Sequence, residues 1–150
     1  MSVYFADTSA LAKRYIPEIG SAWVQSWIDP ASGHVTIISA LATVEFISFL
    51  ARRQREGNVS AADFNRLRND FVFHARQQYR VIAPGADVLA QAQRLVNLHP
   101  LRTLDAIQLA SAWAAGQAIG ALPIFVSADQ RLLSAAASEG FVTDDPNAHP

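Results

Sequence analysis

The sequence predicts an α/β protein in which a parallel β-sheet is covered by helices on both faces. Short β-favouring apolar runs alternate with longer helical patterns from end to end. Those runs are almost continuously apolar, as strands buried on both faces are, and lack the alternation of a half-exposed sheet. With 150 residues, 51% apolar and 17% charged, the chain suffices for one domain with a sizeable core.

The elements follow in order. Val3-Tyr4-Phe5-Ala6 predicts a buried strand, and the cap-forming Asp7-Thr8-Ser9 opens a helix to about Tyr15. After Pro17 and Gly20, Ser21 to Ile28 predicts a short helix with Trp23 and Trp27 one turn apart. Pro30 to Gly33 is a loop, and Val35-Thr36-Ile37-Ile38 a second strand. A long helix runs from Ser39 to Arg55 and stops at Gly57-Asn58. Ser60 to Asp63 reads as a capping box before a helix whose Phe64, Leu67 and Phe71 share a face. A third strand spans Arg80 to Ala83, with Pro84-Gly85 after it. Helices follow at Ala86 to Leu98 and Thr103 to about Ala115, separated by His99-Pro100. Pro123 to Ser127 is a fourth strand, Gln130 to Ser138 a helix, and Phe141-Val142-Thr143 a last strand. The domain therefore occupies residues 1–143, and 144–150 is expected to be a loose polar tail.

Composition excludes several classes of function. Without cysteine there is no disulfide, thiolate zinc site or cysteine nucleophile. Twelve Lys+Arg against thirteen Asp+Glu give a net charge of -1, which argues against a polycation that coats nucleic acid. The N-terminus has no basic segment followed by an apolar one, so no signal peptide is read. The apolar stretch from Leu104 to Val126 is interrupted by Asp105, Gln108, Gln117 and Pro123 and fails as a membrane span. The expectation is a soluble cytoplasmic protein.

Four acids stand where solvated acids do not belong. Asp7 ends the apolar strand VYFAD, and Asp129 follows the strand PIFVSA. Glu45 lies on a helix face with Leu41, Ala42, Ser48 and Phe49, and Asp105 on one with Leu101, Leu109 and Ala112. Each has a local explanation. Asp7 and Asp129 suit N-caps, Glu45 can pair with Arg52 or Arg53, and Asp105 can cap its helix or bond Arg102. A common explanation is that strand ends and inward helix faces bring all four to one edge of the sheet. At roughly 5 Å and an effective dielectric near 20, each like-charge pair repels by about 3 kcal/mol. A hard divalent cation, Mg²⁺ or Mn²⁺, relieves that repulsion, and without it raised carboxylate pKa values are expected.

The segments ADTSALAKRY, TVEF, LRTLDAIQLASA and FVSADQRLLSAAASEGF resemble a PIN domain, in particular a VapC-like ribonuclease toxin of a toxin–antitoxin pair. The resemblance extends from Val3 to Val142. It implies a three-layer α/β/α sandwich around a parallel sheet. It also implies that Asp7, Glu45, Asp105 and Asp129 are the four metal-binding catalytic acids, with Thr8, Ser9 and Ser127 as supporting hydroxyl residues. The activity implied is metal-dependent hydrolysis of RNA phosphodiesters, leaving 5′-phosphate and 3′-hydroxyl ends. The partners implied are an RNA substrate, a small antitoxin and a second copy of the chain. A non-catalytic PIN-like module binding RNA or a protein is the alternative.

Lys13, Arg14 and Arg102 lie near the acids in sequence and are the candidate phosphate contacts. Arg52, Arg53 and Arg55 read first as cations favourably placed at a helix C-terminus. Trp23 and Trp27 suit either the core or an antitoxin groove. The four histidines show no metal-ligand spacing and read as structural or surface residues. A haloacid-dehalogenase phosphatase would need a second Asp where Ser9 stands. A phospho-receiver domain would need adjacent acids near the first strand and a Lys after a late strand, but the sole Lys is Lys13.

Overall fold

The computed structural model describes residues 1–150. Five parallel strands form the central sheet: β1 (Val3–Ala6), β2 (Val35–Ser39), β3 (Tyr79–Ile82), β4 (Ile124–Val126) and β5 (Thr143–Asp144), in the order β3-β2-β1-β4-β5. The helices are α1 (Thr8–Ala12), α2 (Ser21–Ile28), α3 (Ala40–Arg55), α4 (Ala61–Gln77), α5 (Ala86–Leu98), α6 (Thr103–Ile119) and α7 (Gln130–Ser138).

The period of two along each strand divides the core into two layers. Phe5, Ile37 and Phe125 face α5, α6 and α7, packing with Leu95, Leu109 and Leu132. Their neighbours Ala6, Ile38 and Val126 face α1 to α4, packing with Leu11, Phe46 and Phe71. This is the α/β/α sandwich expected from the sequence. No helix is long and apolar enough to cross a membrane.

The strand order positions the site. From β1 the chain winds outward to β2 and β3, then crosses to β4 and β5 on the other side. The winding direction reverses between β1 and β4, and such sheets present a crevice at the carboxyl ends of the strands there. The Asp7 amide donates to the Val126 carbonyl at 3.1 Å, so the ends of β1 and β4 are tied together.

Several boundaries differ from the sequence reading. The first helix closes at Ala12, and Lys13, Arg14 and Tyr15 continue as a tightened turn in which each amide bonds the carbonyl three residues back. β3 begins at Tyr79, one residue early, and α6 runs on to Ile119, where Gly120 at φ 82 stops it. β5 is Thr143–Asp144, because Phe141 turns into the core.

The segment 144–150 is docked, against the expectation of a loose tail. Asp144 belongs to β5, a 3-10 turn spans Pro146–Ala148, and the His149 ring stacks on Trp23 with centroids 4.1 Å apart. The anchor is Lys13, 4% exposed. Its Nζ donates to the Ile19 carbonyl at 2.8 Å and Asn147 Oδ1 at 3.0 Å, and pairs with Glu18 at 3.2 Å. Trp27 belongs to the core and stacks on Tyr4 with centroids 4.4 Å apart, so the tryptophan pair serves packing.

Gly20 sits beneath this strap at φ +85, and a Cβ there would meet the Pro146 carbonyl oxygen at 2.2 Å. Gly20→Ala is expected to unseat the tail and to cost about 1–3 kcal/mol from strained backbone and lost packing. Chemical denaturation together with the rate of carboxypeptidase trimming checks this; unchanged values for both would contradict the docking.

Candidate active site

Asp7 is the first residue beyond β1, and its carboxylate caps α1. Oδ1 accepts from the Ala10 amide at 2.9 Å and the Ser9 hydroxyl at 2.7 Å, and Oδ2 accepts from the Ser127 hydroxyl at 2.6 Å. These bonds favour the ionised form, but the group is only 5% exposed. Burial wins, and the Asp105 charge adds to it, so the carboxyl is pushed up to about 6. Ser9 and Ser127 are in turn fixed by the Ala128 and Asp129 amides, which donate to their hydroxyls at 2.9 and 3.0 Å.

Glu45 sits mid-way along α3. Its Oε1 accepts from the Thr8 hydroxyl at 2.9 Å and from Gln108 Nε2 at 2.7 Å, and the same amide reaches Thr8 Oγ1 at 3.0 Å. The alternative pairing of Glu45 with Arg52 or Arg53 does not form. Asp105 lies in the first turn of α6. Its pKa is raised by burial first, then by the charges of Asp129 and Glu45, with Arg102 opposing. Asp129 caps α7 through Oδ1, which accepts from the Arg131 and Leu132 amides at 2.9 and 3.3 Å.

The fold thus brings the four predicted acids to one rim at the reversal of the sheet. Asp105 couples them, since its charge is felt by Asp7 and it feels those of Glu45 and Asp129. The expectation of a single pocket needs correction. Asp105 and Asp129 line a depression of about 280 Å³, Glu45 lines an adjoining groove of about 620 Å³, and Asp7 is buried. No three carboxylates are gathered tightly enough to enclose one ion.

The donor set nevertheless fits a hard cation. No hydrogen bond supports the Asp105 carboxylate, and Glu45 Oε2 and Asp129 Oδ2 have no protein partner. Oxygens left free in a negative, partly buried rim are what Mg²⁺ or Mn²⁺ recruits. The buried Gln108 Oε1 also lacks a partner.

The cations are distributed differently from the sequence reading. Arg102 does line the depression with Asp105, and Arg131 joins it there. Lys13 is a strut of the groove wall with its ammonium fully engaged. Arg14 donates to Gln78 Oε1 at 2.9 Å and the Tyr79 hydroxyl at 2.7 Å, in the interface with α4 and β3. Arg14 spends Nη1 on these two bonds. Arg52 and Arg53 instead line the groove beside Glu45. Gln108 reads in the sequence only as a break in an apolar stretch, not as part of the site. Its signal is an amide three residues after Asp105, which places both on one face.

The raised pKa of Asp7 has a defined sign. An acid whose folded value lies above its unfolded 3.8 contributes stability that is fully present below about pH 4 and lost as pH rises through about 6. This one group therefore contributes a loss of up to about 3 kcal/mol across that window in the metal-free protein. Asp7→Asn is expected to remove most of this loss and to raise the melting temperature at pH 7.5 in EDTA. Equal pH dependence in wild type and variant would contradict the burial of that charge.

A PIN-domain family model matches residues 4–138, an interval that includes all four acids. Ribonuclease VapC47 of Mycobacterium tuberculosis is 32% identical, over 96% of this chain and 97% of that protein. Among solved structures, the sarcin-ricin loop cleaving toxin VapC20 of Mycobacterium tuberculosis aligns with a TM-score of 0.64 at 19% identity, covering 98% of this chain and 99% of that one. A toxin–antitoxin complex from Klebsiella pneumoniae aligns with a TM-score of 0.59 at 13% identity, covering 97% of this chain and 98% of that one. At those identities the structures speak for the fold, while the family match and the VapC47 identity establish kinship: the chain belongs to the PIN-domain family.

Proposed function

We propose that the protein is a metal-dependent endoribonuclease, the toxin of a toxin–antitoxin pair, with Asp7, Glu45, Asp105 and Asp129 as its catalytic acids. The observation that carries the reading is the Asp105 carboxylate. It is half-buried, without a hydrogen bond, and faces two further acids whose outer oxygens are unpartnered. An arrangement of that kind is costly for folding alone and useful for binding a divalent ion.

Asp105 and Asp129, which line one depression, would hold Mg²⁺ or Mn²⁺ together with water, and Glu45 and Asp7 would add negative charge from the same rim. Bound there, the ion supplies the positive charge that draws an RNA phosphate to a carboxylate rim and acidifies a water for in-line attack. The protein groups have separate tasks. Thr8 and Gln108 fix one oxygen of Glu45 and leave the other open. Ser9 and Ser127 hold the Asp7 carboxylate in place from both sides. Arg102 and Arg131 flank the depression and offset its negative potential toward the approaching phosphodiester.

Kinship with a ribonuclease named VapC47 supports RNA as the substrate, and likeness to a toxin–antitoxin complex supports a small antitoxin as partner. A homodimer and a cytoplasmic location belong to the same reading.

Purified protein is expected to cleave RNA with Mg²⁺ or Mn²⁺ and to stop in EDTA. Asp105→Asn is expected to slow cleavage by on the order of a hundredfold or more while its circular dichroism stays native. Sequencing of the cleaved ends, which should carry 5′-phosphate, checks the chemistry. Cleavage that survives both EDTA and Asp105→Asn would overturn the mechanism.

A further inference from the structure

We infer that the groove beside Glu45 is a subsite for single-stranded RNA, in which Arg52 and Arg53 take the phosphate backbone and Phe49 offers its ring to a base. The inference rests on the nuclease reading and adds to it a place for the strand beside the acids.

The groove runs along one face of α3. Glu45, Ser48, Phe49 and Arg52 follow one another at helical spacing, and all four line it together with Arg53. The two guanidinium carbons lie 5.9 Å (Arg52) and 5.5 Å (Arg53) from the Phe49 ring centroid. Neither arginine has a carboxylate partner. The ion pairs of the molecule are Lys13–Glu18, Arg66–Asp63, Arg94–Glu139, His99–Glu139 and His149–Asp144. Arg53 Nε is shielded from solvent and donates to nothing. A favourable position at the end of α3 accounts for cations there, but not for a buried donor left unused.

An occupant must supply an anion for two guanidinium groups and a flat face for an aromatic ring within reach of Glu45. Nucleotides do both, and proteins that bind single strands combine a cationic track with aromatic platforms. An acidic peptide does both only with an aromatic residue in register with its acids, whereas every nucleotide carries both groups. Along α3, Phe49 lies about 6 Å and Arg52 about 10 Å beyond Glu45, so the subsite holds the nucleotides next to the phosphate under attack. Arg102 and Arg131 line the neighbouring depression with Asp105 and Asp129, so a strand seated on Arg52 and Arg53 meets a second arginine pair beside the acids.

Steady-state cleavage of an unstructured RNA at several salt concentrations tests the subsite. Arg52→Gln/Arg53→Gln is expected to raise KM about tenfold or more, with kcat within about twofold, and to reduce the salt slope of log KM by roughly 1. Arg52→Gln alone, at an exposed position, is expected to take about half of that slope. Phe49→Leu should raise KM severalfold and leave the slope unchanged. Wild type that cleaves RNA, with a double variant of unchanged KM and slope, would overturn the subsite and spare the nuclease. Wild type that cleaves no RNA with either ion would overturn the nuclease reading, and the subsite with it.

Discussion

A carboxylate sealed beneath the end of β1 is the constraint on which the site depends. Asp7 must cap α1, which fixes it at the reversal of the sheet, and must remain ionised to serve a cation. Two hydroxyls and one amide support its charge, yet burial still outweighs them. Ser127 links this carboxylate to β4, and Ser9 links it to Ala128 beyond that strand. Asp105 then brings a second charge within range. The order of the strands therefore determines the electrostatics of the rim.

The rest of the site relieves that strain in stages. Gln108 and Thr8 engage one oxygen of Glu45 and leave the other open. Capping of α7 does the same for Asp129. Each acid satisfies the fold with part of its hydrogen-bonding capacity and retains the remainder for the site. Capping and ligation were alternatives when each acid was read singly, but the geometry makes them compatible. Around the rim, arginines that lack carboxylate partners stand on two sides, which suits a polyanion lying across it.

Most of the fold was legible because its signals are local. The apolar runs gave the strands, and Pro17, Gly57 and Pro84 lie where elements stop or turn. The acids were legible because Glu45 and Asp105 interrupt apolar helix faces, while Asp7 and Asp129 close apolar strands. What escaped depended on long-range contacts. Lys13 reads as an exposed cation until Ile19 and Asn147 enclose its ammonium. Arg14 reads as a phosphate ligand until Tyr79, 65 residues away, takes its Nη1 and turns it toward β3. The tail reads as loose because its anchors are Lys13 and Trp23, in the first third of the chain. Arg52 and Arg53 carried a sufficient local explanation, and only the course of the groove gives them a second one.

The central physical claim is that a divalent cation relieves the charge strain of the buried rim. Calorimetric titration of Mn²⁺ at pH 6 in buffers of different ionisation enthalpy measures it most directly. Asp7 is about half protonated at that pH in the metal-free protein. Binding should therefore release a fraction of a proton, giving a buffer-dependent heat that fades by pH 8 and is reduced in Asp7→Asn. Absence of binding at millimolar Mn²⁺, or a heat identical in every buffer, would contradict it.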